Sequence, residues 1–305
     1  MMAVSRRIGR FVVQCAIGAT VAGVGLAGSS GPVAQQGGGV AHKPFVVFDA
    51  TLYTDKPFLW TYHMFPLPIV YEWRFWPGGS SSQPLPAEEV VRTLAGEHRG
   101  ATEPLVIDIE RWPIKGHTAE VQSTVSRFAS VLTWVRNEIP GVRIGLYGTV
   151  PIPDYFRAIR DPRSAEYRSW QRDNDRLEAI VSQVDALFPS LYTFYPDRQG
   201  WVTYAIAQVS EARRKANGKP VYAFLWPQYH ESNVLLSHRP LDPDYWELQL
   251  KTVYDHADGV VIWGGWGDKG PESWDEAAPW WQATKRFLRR IDTVDPALPK
   301  DGVVQ

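Results

Sequence analysis

Cysteine is almost absent from this 305-residue chain: Cys15 stands alone, so no disulfide can form within it. Zinc needs several Cys, His or carboxylate ligands at set spacing, and the sequence has neither an HExxH segment nor paired CxxC motifs. The His230-Glu231 pair has no second histidine four residues on. No metal and no other cofactor is expected. A Gly-rich phosphate loop, a Ser-centred elbow and a basic stripe are also missing, which argues against nucleotide, esterase and nucleic-acid readings. With a net charge of -1, the chain lacks any bulk attraction for polyanions. Abundant instead are aromatics: 14 Trp, 13 Tyr and 12 Phe. Such rings fill cores, and their flat faces also suit the C–H faces of sugar rings.

The N-terminus reads as an export signal over residues 1–34. Arg6, Arg7 and Arg10 precede an apolar run from Phe11 to about Ala27, and small residues from Gly28 to Ala34 suit cleavage. Ser5-Arg6-Arg7 resembles the start of a twin-arginine signal, and Sec export stays equally open. The expected location is therefore secreted, periplasmic or cell-surface. Membrane attachment is expected only if this segment stays uncleaved. Its removal takes three arginines and no acid, leaving a net charge of -4. A Gly-rich lead-in follows over 35–42.

From there, short apolar runs alternate with amphipathic stretches. The runs are Phe45–Asp49, Ile69–Trp73, Leu105–Glu110, Val142–Tyr147, Ala186–Tyr192, Pro220–Trp226 and Gly259–Trp263. They are nearly continuous in hydrophobicity, as strands of a parallel sheet covered on both faces are. Helices are expected over 87–95, 120–137, 170–184, 204–217, 245–256 and 274–291. In the second of these, Val121, Val125, Phe128, Val131, Leu132 and Val135 form one stripe, and Pro140-Gly141 ends it. Alternating strand and helix implies right-handed βαβ units. The fold class is thus α/β, a TIM-like parallel β/α barrel over 43–292, seven-stranded or distorted, followed by a tail over 293–305. A doubly wound open sheet is the alternative. The assembly is expected to be a monomer.

In such a barrel the site forms at the C-terminal ends of the strands. Asp49, Glu72, Asp108, Glu110, Tyr147, Tyr192, Trp226 and Trp263 fall there. Asp108-Ile109-Glu110 carries the most chemistry. Residues i and i+2 of a strand face the same way, with Cα atoms about 6.5 Å apart. Two carboxyl groups held together in an apolar setting repel, so one pKa rises toward that of a useful acid. Such an acid can protonate a glycosidic oxygen. The alternative is a structural ion pair with Arg111 or another arginine.

Four segments in order resemble the hyaluronidase family of glycoside hydrolases. Ile107-Asp108-Ile109-Glu110-Arg111-Trp112-Pro113 is similar to its Asp-x-Glu segment, and Gly145–Pro151 to its Tyr-bearing fourth strand. Ala186–Tyr192 looks like its Pro-Ser-x-Tyr strand, and Asp258–Gly264 like the closing strand that ends in Trp-Gly. The resemblance spans about residues 104 to 266. It implies that Glu110 is the acid and then the base, and that the nucleophile is the N-acetyl oxygen of the substrate itself. Asp108 would orient the acetamide N–H, Tyr192 would donate to its oxygen, Tyr147 would shape the subsite, and Trp263 would floor it. Trp226, Trp112 and Glu72 complete the expected polysaccharide-binding set.

The chain departs from that pattern in having no cysteine after the leader, in Asp49–Pro66, and in its own loop Pro77–Ser82. Chitinase-like barrels also carry Asp-x-Glu, but after a longer acidic run than Leu105-Val106-Ile107 supplies. Two other readings stay open. One is a catalytically silent carbohydrate-binding barrel. The other is a retaining glycosidase with Glu72 as a separate carboxylate nucleophile, about 5 Å from Glu110.

Overall fold

The computed structural model describes residues 43–78, 84–267, 269–293 and 295. The export signal and lead-in read from residues 1–42, Cys15 among them, lie outside the described residues.

The chain begins with β1 (Val46–Thr51), a 3-10 turn at Leu59–Tyr62, β2 (Phe65–Pro66), β3 (Ile69–Tyr71) and α1 (Glu72–Phe75). Then come α2 (Glu88–Gly96), β4 (Leu105–Asp108), α3 (Thr118–Glu138) and β5 (Ile144–Leu146). The helices α4 (Tyr155–Ala158), α5 (Ala165–Asp175), α6 (Glu178–Val181) and α7 (Arg198–Ala216) follow. The domain ends with β6 (Tyr222–Leu225), α8 (Pro243–His256), β7 (Gly259–Gly264), the short pair β8 (Trp266–Gly267) and β9 (Gly270–Pro271), and α9 (Pro279–Leu288). Among the described residues, no helix is long and apolar enough to cross a membrane.

All ladders except the β8–β9 hairpin are parallel, in the orders β2-β1-β7-β6 and β3-β4-β5. Parallel bridges Tyr147↔Phe188, Leu187↔Val221 and Ser190↔Phe224 carry the ring from β5 to β6 through residues 187–190. Among the described residues this is a seven-stranded, distorted β/α barrel, open between β2 and β3 and joined only by single bridges at 187–190. Both interruptions have a proline explanation, because proline brings no N–H to a ladder. Pro66 and Pro68 separate β2, which was not expected from the sequence and pairs with β1, from β3, which opens the expected run at Ile69 and pairs with β4. Pro189 leaves 186–192 extended but tied only by single bridges.

Side-chain alternation along the strands separates two cores. Val46, Phe48, Val106, Phe188, Phe224 and Val261 fill the barrel interior. Their neighbours Val47, Ile107, Leu187, Ala223, Leu225 and Ile262 face the helices. The α3 stripe read from the sequence is buried in that outer core. Each such side chain contributes roughly 1.5–3 kcal/mol by leaving water. Gly145 faces inward, where an added Cβ would lie 2.2 Å from a ring carbon of Phe188. The aromatic interior is thus accommodated by one residue with no side chain.

Three helix boundaries differ from expectation. The stretch read as one helix over 170–184 is α5 and α6, and α5 begins where the Ser164 hydroxyl accepts the Tyr167 N–H at 3.1 Å. Helix α7 starts six residues before the expected Tyr204, because the Asp197 carboxylate caps Gly200 N–H at 2.8 Å. Trp274 precedes α9 and gives its backbone N–H to the Thr54 carbonyl instead. At the end of β3, the chain turns into α1 at Glu72 rather than running on to Trp73. That turn has consequences for the site.

Candidate active site

Strand β4 delivers the two acids. Val106 points into the barrel while Ile107 and Ile109 pack outward, so alternation puts Asp108 and Glu110 on the interior side at the C-terminal end. The Asp108 Oδ1 atom is buried and has no hydrogen-bond partner among the described residues. Burial pushes the Asp108 carboxyl well above the usual range, and the charges of Glu110 and Glu72 push it further. Glu110 exposes surface to solvent, yet the walls around it exclude much of the water from its carboxyl. This desolvation, then repulsion from Glu72 and from Glu231, raises its pKa as well. The two acids form a coupled pair inclined to hold a proton.

Glu72 plays another part. Its Oε2 accepts the backbone N–H groups of Glu110 at 2.9 Å and Arg111 at 2.8 Å, while Oε1 takes Arg111 Nε at 2.9 Å. The Arg111 guanidinium lies 3.8 Å from the centre of the Trp76 ring. The α1 turn therefore clamps the backbone that carries Glu110. The alternative in which Arg111 neutralises the Asp108–Glu110 pair is not what forms: Arg111 pairs with Glu72. Glu72, expected among the substrate-binding residues, is instead occupied with the protein itself.

Around the acids stand aromatic walls from the neighbouring strands. The Tyr147 and Tyr192 rings are 5.9 Å apart, and Tyr192 lies 5.9 Å from Trp263 and 5.5 Å from Trp226. Trp226 meets Trp263 edge-on at 4.9 Å. The Tyr147 hydroxyl is 3.0 Å from Ser190 Oγ. Burial raises both the Tyr147 and Tyr192 phenols well above their ordinary value, followed by Glu110 for Tyr147 and by Tyr147 for Tyr192. Both remain hydrogen-bond donors at any working pH.

Trp112 is a correction. It is 4% exposed, donates Nε1 to the Pro84 carbonyl at 3.0 Å and packs on Trp76 and Phe128, so it belongs to the outer core. It directly follows Arg111, and the turn after Glu110 carries it away from the barrel axis. Asp49 is also outside the site; its carboxylate takes Lys56 Nζ at 2.6 Å and the Thr51 hydroxyl at 2.6 Å. Alternation puts it on the parity of Val47, which faces outward.

Four residues join the site that the sequence reading did not single out. Tyr71 sits opposite Asp108 in the β3–β4 register and accepts the Trp263 indole N–H at 3.1 Å. Burial pushes its phenol up to about 12. Its inward parity with Ile69 was the available signal. Ser190 lay within the Pro-Ser-x-Tyr segment. His230 packs near Tyr192 and Phe194, and burial lowers its pKa to about 4, which keeps it neutral. Glu231 reaches the site only through its charge on Glu110. Nothing local marked His230 or Glu231, which arrive on the long loop after β6. Among the described residues, no group of three His, Cys, Asp or Glu is placed to hold a metal ion.

No family profile and no curated protein matches the chain. Among solved structures, bee venom hyaluronidase superposes with a TM-score of 0.58 at 15% identity, covering 81% of this chain and 98% of that one. The same enzyme in complex with a hyaluronic acid tetramer gives 0.57 at 15% identity, over 81% and 95% of the two chains. At this identity the likeness is one of architecture: the chain shares with these structures a TIM-like parallel β/α barrel.

Proposed function

We propose that this chain is a glycoside hydrolase that cleaves polysaccharides containing N-acetylhexosamine, with the substrate's acetamide as nucleophile. One observation carries the reading. Asp108 offers a buried carboxyl oxygen with no partner among the described residues, beside an acid of raised pKa, while the neighbouring carboxylate, Glu72, is fully engaged. An acetamide N–H would satisfy the Asp108 oxygen. Glu110 would protonate the glycosidic oxygen as the C1–O bond breaks and the acetamide oxygen bonds to C1. It would then take a proton from water, which attacks C1 and reopens the ring. Tyr192 and Tyr147 would donate to the acetamide oxygen and shape its subsite. Trp263 and Trp226 would supply the apolar floor.

The engagement of Glu72 disfavours a retaining mechanism through a protein nucleophile, which needs a free carboxylate. A silent binding barrel has no use for a coupled acid pair, whose burial costs stability. Export through the segment 1–34 is part of the same proposal, since polysaccharides of this kind are met outside the cytoplasm. The test is cleavage of hyaluronan, chondroitin, chitin and peptidoglycan fragments by wild type and Glu110→Gln. We expect cleavage of at least one N-acetylated polymer that disappears in the variant. Glu110-dependent cleavage of a polymer without N-acetyl groups would overturn the acetamide mechanism.

A further inference from the structure

Among the described residues, the large hydrophobic side chains left exposed all follow the C-terminal ends of strands. The aromatic ones crowd one sector. Phe58 (81%) and Trp60 (63%) follow β1, Trp73 (66%) follows β3, and Trp266 (41%) follows β7. Strand β7 pairs with β1 and β1 with β2, while β3, which follows β2 along the chain, pairs with β4, whose end carries Asp108 and Glu110. The other sector, after β5 and β6, exposes Phe156, Val234 and Leu235, only one of them aromatic.

These tryptophans stand on braced segments. Trp60 sits in a 3-10 turn whose Leu59 is buried and whose Tyr62 ring meets Trp281 edge-on at 5.0 Å. Trp73 belongs to α1, held by Glu72 on one side and by buried Phe75 and Trp76 on the other. Trp266 opens the β8–β9 hairpin, whose base is tied to the β1 loop by Leu52 N–H to Gly264 O and Thr54 N–H to Glu272 O, both 2.8 Å. Segments fixed in advance lose little entropy on binding.

Three cations of the same sector are used internally, while Lys269 in the β8–β9 turn is exposed. Lys56 is bound by Asp49, Arg74 by Glu97 through two bonds of 2.8 and 2.9 Å, and Arg111 by Glu72. The carboxyl groups of Asp108 and Glu110 stand in the cleft beside it, where burial and the neighbouring acids already disfavour negative charge. A uronate-bearing polymer would bring further negative charge beside those acids, where Arg111 is already bound to Glu72. Uncharged pyranose rings meet neither obstacle, and they stack on exposed indoles.

We infer that Trp60, Trp73 and Trp266 form an outer binding track for the uncharged N-acetylhexosamine units of a glycan chain, running from the acids across β3 and β1 to β7. This rests on the glycosidase reading above and narrows its substrate to a neutral polymer rather than a polyuronate.

The test uses the full chain carrying Glu110→Gln, which removes cleavage, with chitohexaose and a hyaluronan hexasaccharide as calorimetric probes. We expect chitohexaose to bind, and each of Trp60→Ala, Trp73→Ala and Trp266→Ala to weaken it about fivefold. Because these side chains are exposed, an unchanged circular dichroism spectrum is expected in each variant. The hyaluronan probe should bind at least tenfold more weakly than chitohexaose. Unchanged chitohexaose affinity in the triple variant would overturn the track. Tighter hyaluronan binding that fades with added salt would overturn the neutral-substrate assignment. Failure of wild type to cleave any N-acetylated polymer would strike the glycosidase reading alone, because the binding measurements do not depend on turnover.

Discussion

Glu72→Gln separates a clamp from a nucleophile. The amide oxygen of glutamine can still accept the N–H groups of Glu110 and Arg111, which lie 2.9 and 2.8 Å from Glu72 Oε2. Its NH2 group then faces Arg111 Nε, donor against donor, where Oε1 accepted at 2.9 Å. One charge-assisted bond is lost, worth about 1.5 kcal/mol in a dry setting. Both side chains are 29% exposed, so water offsets part of the loss and about 1 kcal/mol of stability remains at stake. The effect on turnover is larger than a simple bond count, because the clamp positions Glu110, and a misplaced acid costs up to about 100-fold. We expect kcat/KM to fall by about 10- to 100-fold, against roughly 1,000-fold or more for Glu110→Gln. The pH profile gives an independent reading. Glu72 is one of the carboxylates that, with Asp108 and Glu231, surround Glu110, and its charge helps raise that acid. Removing the charge lowers the Glu110 pKa. Since Glu110 must be protonated for the first step, the alkaline limb of kcat/KM moves to lower pH. A loss in Glu72→Gln as complete as in Glu110→Gln would make Glu72 the nucleophile, and an unmoved alkaline limb would refute the electrostatic coupling.

Asp108→Asn should stabilise the protein at neutral pH while abolishing turnover. The native Asp108 carboxyl titrates above the unfolded value of about 3.9, so the folded state holds the proton more tightly and loses stability as pH rises through that interval. Scanning fluorimetry should show the variant melting about 3 °C or more above wild type at pH 7, with the difference closing near pH 4. An equal or lower melting point at pH 7 would contradict the burial cost. Gly145→Ala places a Cβ 2.2 Å from the Phe188 ring and 3.2 Å from the Ala186 carbonyl. We expect a urea midpoint reduced by the equivalent of about 1–3 kcal/mol, and an unchanged midpoint would mean the interior has room that its packing does not suggest.

Much of the barrel was legible because its signals are local. Apolar runs with turn residues between them located the strands of the barrel apart from the two-residue β2, and the α3 stripe from Val121 to Val135 predicted a buried face that is buried. Pro189 reduced the run 186–192 to single bridges, and Pro66 and Pro68 set β2 apart from β3. Helix starts were missed where a cap, Ser164 or Asp197, stood ahead of the apolar periodicity. Period-two alternation put Asp108 and Glu110 on one side, and the same rule, applied to the preceding strand β3, finds Tyr71.

The sequence by itself determined the class of fold, the strand that bears the acids and the aromatic character of the site, since each depends on neighbours within a few residues. Only the tertiary structure decided which carboxylate stays available and which is consumed. Glu72 and Arg111 are 39 residues apart, and the chain must close before one can neutralise the other. The same long-range packing sent Trp112 into the outer core and brought His230 against Tyr192, because side-chain partners across a barrel are set by strand register and not by sequence proximity.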